Sequence, residues 1–333
     1  MTGRRDLLLA AAGLLLLVFV GSRIGLHAVI KEVAAVRTGI AIIILLSLVR
    51  LVLQTRSWTL ALRRDGSDSS AGELMLIRLA SQGIGYLTVL GPIASEPMKI
   101  SLLRKHSKSP AAATLVDTGV YWFTSGMVGI AGCLAAGVLL AHNPRSAASA
   151  VILASIFIGG LFAIARSKLL LAPLGDYLGA RCPRWLRKAG QIEIAVRRFA
   201  TEDRRAIRQM LLLSFGCQLL VAAEVVTVFW FLKLPLHAGT ILGLEAATRA
   251  VKMAAGWMPA RIGADESGAA GAFLSFGLPA AAGLALALAR RTRDLLACLV
   301  GLTWLACMSR RNRNSVSSGV PPVESLAAQM GEI

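Results

Sequence analysis

The chain has 333 residues, of which 56% are apolar, with a mean hydropathy of +0.66 and a formal net charge of +18. A soluble domain is nearer half apolar and carries more charge, so this composition excludes an ordinary soluble protein. The apolar residues form long continuous runs instead of short alternating segments, which predicts an all-α, polytopic helical membrane protein and not a barrel.

The basic residues lie mainly in the polar segments between apolar runs. One explanation is the positive-inside rule, by which basic loops orient helices in the membrane. The other is attraction to anionic lipid headgroups. No nucleic-acid-binding motif accompanies the charge, so we predict that the protein does not bind nucleic acid.

The first half is predicted to contain a series of apolar segments. The first follows Arg4 and Arg5 and imitates a signal peptide. No convincing small-residue cleavage site follows it, so we predict a retained first helix with a cytoplasmic N-terminus. The segments are 7–25, 38–62, 73–103, 111–141 and 147–165.

Residues 166–209 form the longest polar stretch and, being rich in arginine, are predicted to be cytoplasmic. Their last part, 192–209, is interpreted as a helix lying on the membrane surface. The apolar segments of the second half are 210–232, 236–259, 266–289 and 294–308.

The path of the last third is left open by charge counting, and we predict about eight transmembrane or re-entrant elements. If 236–259 crosses the membrane, the C-terminus is cytoplasmic and the arginines of 290–293 lie outside. If 236–259 enters and returns on one side, these two locations are exchanged. Either arrangement violates the positive-inside rule at one basic cluster.

Two apolar segments, one in each half, break at a Gly/Pro corner and then present a glutamate. The corners are 83–97 and 254–268, and Pro92 aligns with Pro259. Broken helices survive at membrane depth only where protein or a watery cavity covers them. Paired broken helices in matching positions predict an inverted repeat and a transport site.

The chain is therefore predicted to be one transmembrane domain followed by a tail. The domain covers 1–309, with halves 1–165 and 210–309 joined by the basic segment 166–209. Residues 310–333 are predicted to be a polar C-terminal tail.

Charged residues near the two corners are the candidates for substrate binding or transport. A charge at the bilayer centre costs about 2.5–3.5 kcal/mol, so a buried charge needs a partner or a function. We predict a polar cavity in which the cations bind a lipid phosphate and the acids pair with them or meet a cationic headgroup. The alternative is that the same residues form ion pairs that hold the hairpins together. The candidates are Arg78, Glu96, Asp117, Arg249, Lys252, Arg261 and Glu266.

Other polar residues receive structural interpretations. Glu224 is predicted to pair with a cation of another helix, whereas Arg50 and Arg56 are predicted to snorkel toward the cytoplasmic surface. The five cysteines and four histidines show neither CxxC nor metal-ligand spacing. We therefore predict no metal site, no cofactor and no disulfide.

Two blocks around the corners resemble the flippase-like membrane domain found in lysyl-phosphatidylglycerol synthases and in related stand-alone proteins. The first block is 91–99 with Asp117, and the second is 258–266 with Gly277-Leu278 and Arg290-Arg291. The resemblance covers about residues 7–308. Thr118 stands where the family usually has arginine, and Ala260 and Arg261 replace corner glycines. The run 116–122 is reminiscent of the branch that accompanies hopanoid biosynthesis.

The resemblance implies movement of a lipid or lipid-linked headgroup across the cytoplasmic membrane, with anionic or isoprenoid-type lipids as partners. Two alternatives stay open at this point. One is a membrane-embedded transferase, although no nucleotide-binding or catalytic motif is present. The other is a non-transporting partner of a lipid-synthesis complex. The sequence indicates neither the lipid nor the oligomeric state, and we predict that the protein is not an enzyme.

Overall fold

The computed structural model describes residues 34, 36–63, 69–88, 92–103, 110–140, 152, 154, 155, 158, 159, 184–256, 258 and 261–317. Within these residues the fold is helical and has no strand, which confirms the predicted all-α class. The predicted segment 7–25, most of 147–165 and residues 166–183 lie outside the described residues.

The first half contributes helices α1 (Arg37–Arg63), α2 (Ala71–Leu87), α3 (Pro92–Leu103) and α4 (Pro110–Leu139). Helix α2 begins where Ser70 accepts a hydrogen bond from the Glu73 amide at 3.2 Å, which satisfies one free backbone donor. The break between α2 and α3 is the one predicted inside 73–103.

The second half contributes α5 (Arg184–Glu202), α6 (Arg204–Phe231), α7 (Ala238–Ala254), α8 (Ala264–Ser275) and α9 (Ala280–Ser317). The interruption between α7 and α8 is the second predicted corner. The proposed surface helix 192–209 is divided instead: α5 ends at Glu202, and Asp203 caps α6 by accepting from the Ala206 amide at 3.0 Å.

The predicted segments 266–289 and 294–308 differ from the observed helices. The chain breaks at Gly277, whose φ of 72° lies in the left-handed region that favours glycine. Helix α9 then runs without interruption from Ala280 to Ser317, through the arginines of 290–293 and into the segment assigned to the tail. The basic cluster is therefore part of a helix and not a loop.

Three helices in the described part are long and apolar enough to cross a membrane, judged by length and composition: α1, α4 and α6. Large apolar side chains on these helices face outward, with Leu45 60%, Val138 78% and Leu212 68% exposed. Helix α9 carries a similar outward row that includes Leu295 and Leu299. Apolar patches of this kind are typical of a lipid-facing surface.

Helices α1 and α6 pack against each other in antiparallel directions. Val36 and Ile43 near the start of α1 lie in one core cluster with Val225 and Phe229 near the end of α6. The end of α1 packs on the start of α6 in a second cluster that contains Trp58, Leu62 and Met210.

Two further long contacts join the halves, α4 with α7 and α2 with α9. Both are antiparallel and close, because small residues lie at the crossings. Gly132 of α4 faces the backbone of Leu242 in α7, and Gly301 of α9 faces the backbone of Leu79 in α2. These contacts bring the end of α2 beside α7, α8 and α9.

Candidate functional site

The corner between α7 and α8 turns through residues in left-handed conformation, with φ of 45° at Arg261 and 78° at Gly263. Only glycine adopts this region without strain, so contacts hold Arg261 there. Its Nε donates to Asp265 at 3.1 Å, and its guanidinium lies 5.8 Å from the ring centroid of Tyr86. Tyr86 is in the last turn of α2, within the first corner. The two corners therefore meet.

A narrow pocket lies beside this contact, between α2, α7, α8 and α9, with room for water-sized molecules. Charged and hydroxyl-bearing side chains from all four helices form its polar lining. They are Tyr86, Thr248, Lys252, Asp265, Arg290, Arg291 and Asp294.

Lys252 is the pocket cation whose ammonium is not engaged in an ion pair with another described residue. Asp265 and Asp294 are the anions that act on it electrostatically, and Arg290 and Arg293 oppose them. Its position in the last turn of α7 points a long flexible cation into the space between the corners.

Glu266 lies behind the pocket and is fully buried. One carboxylate oxygen is 2.6 Å from Arg291 Nη1, and the other accepts from the Gly263 amide at 2.9 Å. The carboxylate therefore caps the start of α8 and also fixes a pocket arginine.

A buried ion network connects α6, α7 and α9 on the far side of the pocket. Arg290 donates to Glu224 at 2.9 Å and to Glu245 at 2.5 Å, and Arg293 also pairs with Glu224. The predicted pairing of Glu224 with cations of another helix is confirmed. Arg50 Nη1 also lies 3.9 Å from this carboxylate, so its side chain is directed toward the network, and its predicted snorkelling toward the cytoplasmic surface stays a prediction.

This network removes the conflict found by charge counting. Arg290 and Arg293 are 6% exposed and neutralised by carboxylates. The positive-inside rule counts basic residues in loops, and these arginines lie inside a helix.

The first half holds a second charged cluster. Arg78 of α2 pairs with Asp117 of α4, and both are buried. Ser57 of α1 donates to the other Asp117 oxygen at 2.7 Å, and the Arg78 guanidinium lies 5.4 Å from the ring centroid of Trp58. Three helices are joined at this carboxylate.

Beside it, Glu96 of α3 connects α3 to α4. It accepts from Lys99 at 2.8 Å and from the Thr118 hydroxyl at 3.1 Å. Lys99 is buried and is influenced electrostatically by Arg78 and Asp117. Where arginine was expected, Thr118 contributes a hydroxyl, and Lys99 supplies the positive charge.

The structure thus divides the seven candidates between two clusters. Lys252 lines the pocket, Arg261 lies at its rim and Glu266 lies behind it, whereas Arg249 donates to Ser125 at 2.5 Å and pairs with Glu245 at 3.6 Å. The other three belong to the first-half cluster: Arg78, Glu96 and Asp117.

Several pocket residues were missed by the sequence interpretation. Tyr86 gave no signal in the sequence beyond its place within the first corner. Arg290 and Arg291 fell between two predicted segments and Asp294 began the second of them, although their spacing of three and four residues to Asp294 is that of one helix face. Among the described residues no group of three or more potential metal ligands comes together.

Comparison with protein families gives a match over residues 7–301 to the family described as the lysylphosphatidylglycerol synthase TM region. This match covers most of the chain. The chain belongs to the lysylphosphatidylglycerol synthase TM-region family. Comparisons with curated proteins and with solved structures gave no match.

As a member of the lysylphosphatidylglycerol synthase TM-region family, the protein is a membrane domain with a role connected to membrane lipids. The resemblance noted in the blocks around the corners is confirmed. Those blocks contain Glu96, Lys99, Arg261 and Glu266, so the family signatures coincide with both charged clusters.

Proposed function

We propose that this protein moves a membrane lipid, or a lipid-linked headgroup, across the cytoplasmic membrane through the pocket at which the two corners meet. The observation that carries the proposal is Lys252, a cation without an ion pair in the described part of the chain, lining a pocket between broken helices. A free cation in such a place is suited to a phosphate that enters from the bilayer.

The charge around the pocket supports an anionic ligand. Cations outnumber anions among the side chains of the pocket and of the ion network behind it. The cations are Arg50, Arg249, Lys252, Arg261, Arg290, Arg291 and Arg293, and the anions are Glu224, Glu245, Asp265, Glu266 and Asp294. An anionic phospholipid or an isoprenoid phosphate restores the balance.

In this proposal the protein is a multi-pass protein of the cytoplasmic membrane with its N-terminus in the cytoplasm. The buried ion pairs keep α6, α7 and α9 together while the corners α2–α3 and α7–α8 move. Lys252 and Arg291 contact the phosphate, and Glu266 holds Arg291 in place when the phosphate is absent.

The test is lipid translocation by purified protein in phosphatidylcholine vesicles that contain fluorescent phosphatidylglycerol or a fluorescent polyprenyl phosphate. Exchange of the label between leaflets is followed by quenching from outside. We expect exchange to be faster in vesicles with the wild type than in vesicles without protein. Lys252→Met and Glu266→Gln should each slow this exchange by about tenfold or more, because each loses one charge-assisted contact.

The matched control is the double variant Arg198→Gln/Glu202→Gln, which removes an exposed pair on α5 joined at 2.7 Å. It should leave translocation unchanged. Vesicles in which the wild type accelerates exchange of neither lipid contradict the proposal. Formation of a modified lipid by the purified protein would favour a transferase instead.

A further inference from the structure

Helix α6 presents one continuous row of exposed side chains to the outside of the bundle. The row begins with two arginines and continues with apolar residues: Arg205, Arg208, Leu212, Phe215 and Leu219. Their spacings alternate between three and four residues, which places them on one face of the helix. An exposed apolar row on a helix of this length is typical of contact with lipid.

The apolar part of this row has the length of a bilayer core. It continues through Val226 to Trp230, which is 70% exposed. Leu212 and Trp230 are about 27 Å apart along the helix, and the hydrocarbon core of a bilayer is about 30 Å thick. Tryptophan is enriched where hydrocarbon meets the headgroups. Trp230 therefore marks one interface, and Arg205 and Arg208 lie at the headgroup layer of the other.

Helix α1 has the same arrangement in the opposite chain direction. Its outward row contains the exposed residues Leu45 and Val52, followed by the exposed Arg56 and Arg63. Here too the spacing keeps the apolar residues and the arginines on one helix face. The apolar row again ends in two arginines.

The register of the two antiparallel helices places these arginines at one depth. It is fixed by the contact of Cys217 with the backbone of Arg50. On α1 the two arginines lie about 9 Å and about 20 Å beyond this contact, and on α6 they lie about 14 Å and about 18 Å beyond it in the same direction. The four arginines therefore occupy one layer at one end of the bundle.

Helix α5 adds charge to the same end. Phe199 belongs to the core cluster that contains Trp58 and Met210, so α5 lies against the end of α1 and the start of α6. Its Arg197 and Arg198 are exposed. The apolar side chain of Phe199 is thus covered by protein, and the two arginines remain on the surface.

The exposed cations of the described residues are concentrated at this end. They are Arg56, Arg63, Arg197, Arg198, Arg204, Arg205 and Arg208 here, against Arg37 and Lys233 at the other end. The acids near them are fewer: Glu73, Glu193, Glu202 and Asp203. Glu202 already pairs with Arg198, and Asp203 caps α6. The charge at this end is therefore positive and largely uncompensated.

We propose that the outward arginines of α1 and α6 bind anionic phospholipids of the cytoplasmic leaflet as resident lipids that are not transported. These arginines, Arg56, Arg63, Arg205 and Arg208, are called the arginine belt. Their guanidinium groups bind the phosphates, for which the planar fork is suited. The positive-inside rule makes this end the cytoplasmic one.

The apolar rows identify the occupant as a lipid and not an acidic protein. An acidic protein segment would pair with the arginines and leave Leu212 and Phe215 uncovered. A phospholipid has its charge and its chains in one molecule, and the arginines directly adjoin the apolar row. A zwitterionic headgroup is bound more weakly, because its own cation is repelled by the belt.

The test measures which lipid lies beside the belt. Single cysteines Leu212→Cys and Val226→Cys carry a bimane fluorophore, in a background whose five native cysteines are alanine. Both positions are on the outward row of α6, the first beside the belt and the second near the other interface. Each protein is reconstituted in phosphatidylcholine vesicles that contain phosphatidylglycerol or phosphatidylcholine with a doxyl quencher on the acyl chain.

We expect phosphatidylglycerol to quench Leu212→Cys about fivefold more effectively than phosphatidylcholine at the same mole fraction. At Val226→Cys the two lipids should quench equally. High salt should reduce the difference at Leu212→Cys, because exposed charges are screened. Equal quenching of Leu212→Cys by both lipids at low salt overturns the proposal.

The belt variant Arg56→Gln/Arg63→Gln/Arg205→Gln/Arg208→Gln should remove the preference for phosphatidylglycerol at Leu212→Cys. The matched control, Arg37→Gln/Lys233→Gln, removes the exposed cations of the other end and should keep it. A preference that survives in the belt variant overturns the proposal. The salt titration uses the unaltered arginines, so it decides the question even if the belt variant does not fold.

The inference does not depend on the proposed function. Lys252→Met should keep the preference for phosphatidylglycerol at Leu212→Cys, because the belt lies on the outside of the protein and the pocket between its helices. Loss of the preference in this variant would show that the quenching lipid is the one held by the pocket, and would overturn the belt. Absence of translocation by the wild type contradicts the proposed function alone.

Discussion

The thiol of Cys217 points at the backbone carbonyl oxygen of Arg50 across the α1–α6 contact, at 3.8 Å. These two residues are 167 positions apart, the spacing that also separates the starts of α1 and α6, so they occupy equivalent places in the two helices. The Arg50 side chain then reaches toward Glu224 and connects this contact to the ion network of the second half.

The first prediction concerns the carboxylate that carries most of that network. Glu224→Ala leaves Arg290 and Arg293 buried with one partner fewer. Breaking a buried ion pair from one side costs about 3–5 kcal/mol, because the remaining charge is uncompensated. The loss is measured as a lower unfolding midpoint in detergent.

The exposed pair on α5 serves as the control for this measurement. Arg198 and Glu202 are 72% and 45% exposed, and exposed pairs contribute about 1 kcal/mol or less. A stability loss from Glu224→Ala no larger than that from Arg198→Gln would contradict the buried network.

The second prediction concerns the buried pair formed by Arg78 of α2 and Asp117 of α4. Arg78→Glu and Asp117→Arg should each destabilise the protein by about 3–5 kcal/mol, because each places two like charges together inside the fold. The double variant has an acid on α2 and an arginine on α4, as the second half has Glu245 on α7 and Arg290 on α9. It should recover at least half of the stability that a single variant loses. A double-mutant cycle on the unfolding free energy measures the coupling, and simple additivity would argue against a direct pair.

The third prediction concerns the close approach of α4 and α7. A Cβ at Gly132 would collide with the Leu242 backbone, which cannot move without shifting α7. Gly132→Val should therefore cost about 1–3 kcal/mol or more through overpacking. Gly119→Ala in the same helix meets nothing within 4 Å and should be neutral or stabilising. Equal stability of the two variants would exclude a tight α4–α7 contact.

The fourth prediction concerns the turn after α6. Lys233 has a φ of 54°, a left-handed conformation that side chains with a Cβ adopt at a cost of about 1–2 kcal/mol. Lys233→Gly should raise the unfolding free energy by up to about 1 kcal/mol, whereas Lys233→Ala keeps the strain and should not. A destabilised glycine variant would show that the lysine side chain stabilises the turn.

Much of the helical pattern follows from the sequence, because lipid imposes simple rules on it. Residues 38–62 must be a helix, since a long apolar run in lipid can satisfy its backbone only within itself. The breaks at 83–97 and 254–268 follow from Gly and Pro, and Glu224 needs a cation because an unpaired buried charge is costly.

The tertiary structure alone decides which charges meet. The sequence shows Arg290 to Arg293 only as a basic cluster, which is typical of a loop. Their place inside α9 depends on Glu224 and Glu245, which lie far away in the chain and neutralise them. Long-range pairing of this kind leaves no periodic signal along the chain. For the same reason, only the packing of the helices divides the candidates between the Lys252 pocket and the first-half cluster around Asp117.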